Sequence, residues 1–462
     1  MSIKRVALIL VLTLISRTWA AEDKTSALEK ENAQLRQRIE NLEKKVDELS
    51  KIVLQKVEVE KQVQPVKPAE PAQPKLSDED IKKIAASIEQ KGGKNVFSSL
   101  EVELYGMFKL DSSWDSSRMN TGNYADWVSN EASNGNDSEF SMTPKQTRFG
   151  LRVFGPPNDE FKTSGVAEID FYGADSGENK AGILLRHAYL QLDWPKDRFS
   201  ILAGQTSDLI SPLYPSTINY TVGWWVGNIG YRRPQIRLTK IYSLGKDVDW
   251  TVSAALARTI SSATTNFTTD TGEDSGRPGV QARTALKFPL INGKATEVGL
   301  SAHTAKEEMD TDTFGHNVHF DSHSLNLDLT QPINNWLTLK GEAFTGKNLG
   351  SYLGGIGQGV NTLTNEEIDS HGGWVAASLG PWDKWSFTIG GGVDTADRDD
   401  VPSVLAVPAS GRTLNRNVFG NVIYSIDKNA KVGLELSHWR TRYKGPGDAD
   451  SFRAQMAFMY NF

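Results

Sequence analysis

The chain has no cysteine in 462 residues. This excludes disulfides, thiolate zinc sites and cysteine nucleophiles, and it suits a protein that crosses an oxidising compartment. Long apolar runs are missing too: after residue 20 no stretch could span a bilayer as a helix, which needs roughly 20 apolar residues. A mean hydropathy of −0.42 is far too polar for a helical membrane protein. Neither sign of charge dominates, with a formal net charge of −6 and 23% charged residues, so there is no basic arm for nucleic acid and no acidic tail. None of these absences excludes a membrane β-barrel, where only alternate residues face lipid.

The N-terminal fifth divides into four pieces. Lys4 and Arg5 precede the apolar run from Val6 to Ile15, and Thr18 and Ala20 place small residues at a cleavage site, so residues 1–20 read as a secretory signal peptide. In 21–63, Leu28, Leu35, Leu42 and Leu49 recur every seven residues, each followed four residues later by Asn32, Ile39, Val46 or Val53. These are the d and a positions of a coiled coil, which makes the chain an oligomer. Residues 64–77 carry Pro65, Pro68, Pro71 and Pro74, a semi-rigid spacer. Residues 78–99 hold a short helix capped by Ser77, with Ile81, Ile84, Ala85 and Ile88 on its apolar face, and a lead-in after Gly92-Gly93.

From residue 100 to 462, period-two segments about 9–11 residues long recur sixteen times. The first has Val102, Leu104, Gly106, Phe108 and Leu110 on one face and Glu103, Lys109 and Asp111 on the other. The weak twelfth is marked by Trp374 and Ala376. The last has Phe452, Ala454, Met456, Phe458, Tyr460 and Phe462 on one face, with Arg453, Gln455 and Asn461 opposite. Short connections at 195–197, 244–248, 331–335, 381–384 and 427–430 alternate with long ones, the sidedness of an outer-membrane barrel. Backbone groups in hydrocarbon must all be paired, so the first strand must meet the last. The expected fold is all-β: a 16-stranded antiparallel transmembrane β-barrel preceded by an N-terminal coiled-coil helix. An even count puts both ends of the barrel on one side, with Phe462 in the periplasmic aromatic girdle.

A barrel of this size leaves an aqueous lumen. Alternation assigns Arg148, Arg152, Arg237, Arg283, Lys287, Lys340 and Arg453 to it, with Arg233 nearby. Glu103, Asp111, Glu168, Asp170, Asp193 and Glu342 point inward as well. Such a ladder sets a preference for the sign of the solute, and arginine's planar fork suits carboxylate and phosphate. Alternatively, these arginines pair with lumen carboxylates and hold the wall. Arg453 is placed towards the outer mouth, where it would attract anions. The connection 207–231 carries Tyr214, Tyr220, Trp224, Trp225 and Tyr231, followed by Arg232-Arg233-Pro234. Folded inward, it would narrow the pore; otherwise it packs on itself or on a neighbouring subunit.

Other signals are weaker. His319 and His323 share a strand face but lie about 13 Å apart at ~3.3 Å per residue, so with His316 they make a poor metal site. Asp310, Asp312 and the acidic stretch 394–400 read as solvated loops rather than Ca²⁺ ligands. The glycine run 354–359 lacks the context of a phosphate loop. No catalytic residue, cofactor or metal is assigned.

The motifs Leu104-Tyr105-Gly106-Met107-Phe108-Lys109-Leu110-Asp111, Arg148-Phe149-Gly150-Leu151-Arg152, Arg186-His187-Ala188-Tyr189-Leu190-Gln191-Leu192, Ala203-Gly204-Gln205-Thr206 and Tyr231-Arg232-Arg233-Pro234-Gln235-Ile236-Arg237, behind a signal peptide, heptads and a linker, resemble the DcaP-like trimeric porins of Gram-negative outer membranes. The resemblance covers nearly the whole chain. It implies a homotrimer of barrels in outer-membrane lipid and lipopolysaccharide, each a passive channel for small anions such as dicarboxylates. It further implies that 207–231 forms the constriction and that Arg148, Arg152, Arg233, Arg237 and Arg283 meet the anion. Two other functions stay open on the residues: a structural tether whose periplasmic coiled coil reaches the cell wall, and a barrel hydrolase.

Overall fold

A computed structural model describes residues 100–134, 136–173, 180–261, 275–310, 315–402 and 411–462. The expected signal peptide, coiled coil, proline-rich linker and lead-in lie outside the described residues.

The strands are β1 (Glu101–Asp115), β2 (Glu139–Thr143 and Arg148–Phe154), β3 (Lys162–Gly173), β4 (Gly182–Trp194), β5 (Phe199–Ser207), β6 (Arg232–Gly245), β7 (Val248–Ala257) and β8 (Gly279–Pro289). They continue as β9 (Ala295–Met309), β10 (Val318–Pro332), β11 (Leu337–Lys347), β12 (Asp369–Trp382), β13 (Trp385–Ala396), β14 (Arg412–Ser425), β15 (Ala430–Tyr443) and β16 (Ala449–Asn461). The two pieces of β2 pair with opposite halves of β1, Glu139–Thr143 with its end and Arg148–Phe154 with its start. Pro144, which has no N–H to give to a ladder, stands in the gap between them. Each strand pairs antiparallel with the next, and β1 closes on β16 from Met107↔Asn461 to Asp115↔Arg453. The result is a closed barrel of sixteen antiparallel strands.

Period-two alternation decides which face looks out. Leu104, Phe108, Leu190, Ile236, Leu325, Val375, Ile389, Val418 and Phe458 are all exposed on the barrel's outside, although apolar. In water such a belt would be a liability; in hydrocarbon it is the required surface. The even-numbered face of β16 points out as expected, with Phe452, Met456, Phe458 and Tyr460 exposed. At the seam the terminal Phe462 exchanges backbone hydrogen bonds with Gly106 (3.0 and 3.1 Å) and packs its ring on Phe108 at 5.1 Å. A Cβ at Gly106 would stand 2.7 Å from that ring, so only glycine lets the last residue lie across the first strand.

One strand marker faces inward, and one expectation needs correction. Trp374 and Ala376 mark β12 but face the lumen, where they pack with Phe419 and Leu213, while Val375 is the outward residue. The reason is a segment that enters the lumen and gives those side chains an apolar cover. Arg453 is not an open attractor at the mouth: it is 1% exposed and pairs with Asp115 at 2.7 Å. That pair ties β16 to β1 instead.

Candidate functional site

The connection between β5 and β6, residues 208–231, folds into the barrel. Its polar groups find partners on the opposite walls. The Leu209 N–H donates to Gln281 Oε1 on β8 (2.7 Å) and the Leu213 N–H to Glu342 Oε1 on β11 (2.7 Å). The Thr217 hydroxyl (2.7 Å) and the Ile218 N–H (3.0 Å) donate to Glu435 on β15. Carbonyls are met in turn: Asn421 Nδ2 donates to Ser216 O (2.7 Å) and Lys109 Nζ to Ile218 O (2.6 Å). The chain then reverses at Gly227 (φ +111°), where a Cβ would stand 2.1 Å from Gly373 O on β12. It returns through a Gly230 N–H to Tyr352 O bond of 2.7 Å and a Tyr231 N–H to Asp208 bond of 2.8 Å. Buried backbone polar groups need partners, and lumen carboxylates supply them.

This segment brings its aromatics against other elements. Tyr220 stacks on Tyr172 of β3 at 3.8 Å, and Tyr124, from the β1–β2 connection, lies 5.4 Å from Tyr220. Trp225 faces Tyr124 and Trp127, and Trp224 packs edge-on to Tyr231 at 5.3 Å. Asn219 brackets Ala125 with two 3.1 Å hydrogen bonds, tying the two connections together. Burial raises the hydroxyl of Tyr124 to about 12, and it raises that of Tyr220 as well, so both stay neutral hydrogen-bonding groups. Tyr214 is 39% exposed and stands apart from this array.

The arginines divide by neighbourhood. Arg148 approaches Glu168 at 3.4 Å and lies in the field of Arg186 and Arg232. Arg186 reaches Glu168 and Asp170, each at 2.7 Å. Arg232 lies over the rings of Tyr231 (4.3 Å) and Trp224 (5.5 Å), and its Nε and Nη2 are buried without a hydrogen-bond partner among the described residues. Two guanidinium groups thus draw on Glu168 and Asp170, and the third, Arg232, has aromatic rings in place of an acid. Lower on the same wall, Arg152 pairs with Glu103 at 3.1 Å, half-exposed, over the Tyr105 ring. Arg237 bonds Gln235 (3.0 Å) and the Ser207 carbonyl, with no ion pair among the described residues.

The other expected cations are placed differently. Arg233 is buried, 2.8 Å from Asp208 and 3.7 Å over the Tyr352 ring. Arg283 is clamped between Asp328 (2.6 Å) and Glu297 (3.0 Å). Both therefore brace the wall. Lys287 is exposed and Lys340 half-buried near the short-turn ends of β8 and β11. His319 and His323 point outward on β10, and no group of three His, Asp or Glu among the described residues is set to hold a metal ion.

Arg186 and Arg232 were not assigned by alternation. In β4 the register slips between Glu168↔His187 and Ile169↔Leu185, leaving Arg186 as an extra residue. The bulge turns Arg186 and His187 to the same side. A trace exists in the sequence: Ile183 and Leu185 are out of phase with Ala188, Leu190 and Leu192.

A closed barrel of sixteen strands whose loop after β5 crosses the lumen is the architecture of an outer-membrane porin. No protein-family model matches the sequence, and neither does any curated protein. Among solved structures the chain is similar to the outer-membrane channel DcaP of Acinetobacter baumannii, with a TM-score of 0.61 and 17% identity over 79% of this chain and 98% of that one. It is similar to OmpF of Salmonella typhi in complex with daunomycin (TM-score 0.52, 15% identity, 79% and 98% covered). It is also similar to the anion-selective porin of Comamonas acidovorans (0.50, 10% identity, 79% and 100% covered). The fold is that of a DcaP-like outer-membrane porin.

Proposed function

We propose that the protein is a passive outer-membrane channel for small hydrophilic solutes with a preference for anions such as dicarboxylates, working as a homotrimer. The observation that carries this is the imbalance of charge across the lumen. On the β2–β6 wall, Arg148 and Arg186 draw on Glu168 and Asp170 and Arg152 on Glu103, while Arg232 and Arg237 have no ion pair among the described residues. On the opposite side Glu342 and Glu435 are occupied by loop N–H and hydroxyl donors, and on the near side Asp208 is taken by Arg233. A solute passing between them meets guanidinium groups without an ion pair on one side and, on the other, carboxylates whose lone pairs are already taken by loop donors. In a low-dielectric wall that difference is felt strongly. The aromatic array narrows the passage beside these cations without adding charge.

The test is the reversal potential across a planar bilayer in a KCl gradient. Anion selectivity is expected, and Arg148→Ala, Arg152→Ala and Arg237→Ala should each reduce it. Cation selectivity, or no change in any of the three, refutes the reading. The heptads in 21–63 keep a tether to the cell wall as the second reading. It predicts negligible conductance, and an envelope defect on deleting 21–75 alone.

A further inference from the structure

The outside of the barrel carries a feature that transport does not use. Across β12, β13 and β14, towards the long-loop ends, lies an open groove of about 1040 Å³. Its sides are Val375, Ile389, Val393 and Val418, all of them exposed outward residues. Gly373 and Gly391 occupy outward positions between them, so the floor is bare backbone. At the rim stand His371 and Arg416.

Arg416 is exposed on the lipid-facing side of β14, where a charged side chain is costly unless it lies near the interface. It also sits directly opposite Arg440 on β15, and the adjacent outward pair is Leu414↔Arg442. Like charges opposite one another weaken an antiparallel pair unless something anionic stands nearby. Arg440 and Arg442 have it in Asp448, at 2.5 and 3.3 Å. Arg416 has no ion pair among the described residues. An apolar trough with an uncommitted cation at its interfacial end is complementary to an anionic amphiphile and to no free ion.

We propose that this face of β12–β14 binds a phosphorylated lipid of the outer leaflet, with acyl chain in the glycine-floored groove and phosphate on Arg416. The inference rests on the barrel spanning an outer membrane, as in the function proposed above. Guanidinium meets phosphate through two parallel N–H···O bonds, which fixes the headgroup at one end. The groove fixes the chain below it.

Native mass spectrometry of the full chain in neutral detergent, titrated with diphosphoryl lipid A, tests this. One lipid per chain should be retained. Arg416→Ala should weaken retention about tenfold, the effect of one lost charge-assisted contact. Val375→Trp, which fills the groove, should weaken it comparably. Diacylglycerol and inorganic phosphate, each lacking half of the match, should not compete. Equal retention by wild type and both variants overturns the proposal. So does a bismaleimide cross-link between two Val375→Cys chains, which would show a second copy covering the groove. Bilayer conductance read on the same samples separates the two proposals. Lipid retention through Arg416 in a barrel that conducts nothing removes the channel and keeps the lipid site, and a conducting barrel with unaltered retention in R416A does the reverse.

Discussion

Glu435 is the residue whose removal should change the pore most. Its carboxylate accepts the Thr217 hydroxyl, the Ile218 N–H and the Asn421 amide, two of them from the inward segment. A hydrogen bond to a charged acceptor contributes about 1.5–3 kcal/mol net. Two such bonds amount to roughly 3–6 kcal/mol, and water entering the vacated space returns part of that. On the order of 3 kcal/mol remains, which shifts the docked–undocked balance of the segment around 215–220 about a hundredfold. Glu435→Ala should therefore raise single-channel conductance and current noise in planar bilayers. Glu435→Gln, which keeps an acceptor, should stay close to wild type. The Leu213 anchor on Glu342 still holds the other half of the segment, so Glu342→Ala/Glu435→Ala should exceed the sum of the single effects. Because the chain has no native cysteine, an Ile218→Cys/Gly433→Cys pair can be read without background. A Cβ at 433 already lies 3.1 Å from Ile218 Cγ2, and oxidation of the pair should restore wild-type conductance in the Glu435→Ala barrel. Wild-type conductance in the double Glu variant would refute the account of the segment as a docked constriction.

Two further predictions concern bracing and pH. Arg233→Ala leaves Asp208 buried with only the Gln281 amide and the Tyr231 N–H, a loss of about 3 kcal/mol, so the barrel should unfold at lower temperature on heated gels while its reversal potential barely moves. Asp126, in the β1–β2 connection, is held by the Thr121 hydroxyl (2.6 Å), Asn120 (3.0 Å) and the Trp127 N–H, but burial still raises its pKa above the ordinary carboxyl value. A carboxyl raised on folding stabilises the packed connection at low pH, and this stability is lost as pH rises from the ordinary value through the raised one. The protection of amides in residues 116–130, taken relative to their intrinsic exchange at each pH, should therefore fall over that interval and then level off. Asp126→Asn should flatten the curve, and an unchanged slope in that variant would dismiss the assignment.

The strands were legible because their outward residues solve one problem, contact with hydrocarbon, and a one-residue slip would turn each apolar face inward. Leu104 and Phe108 on β1 or Phe458 and Tyr460 on β16 announce this without any partner. The lumen answers to no such single demand. Trp374 faces in because Leu213, 161 positions earlier, covers it, and Glu342 and Glu435 are anchors because the Leu213 and Ile218 N–H groups arrive there. Alternation also treats every inward arginine alike. Only the neighbours separate Arg283, clamped by two carboxylates, from Arg232, which has rings in place of acids.

The bulge at Arg186 suggests how such a lumen can evolve. Striking Arg186 from β4 leaves Leu185, His187, Ala188, Tyr189 and Leu190 in unbroken alternation, with every apolar residue still facing out. In that sense Arg186 is an insertion. It adds a cation to the channel without exchanging any residue of the lipid belt. Substitution can alter the charge only at positions that already face inward, whereas a single inserted codon creates a new one. Small insertions and deletions within the strands, which usually count as damage to a sheet, are then a direct means of adjusting what such a pore admits.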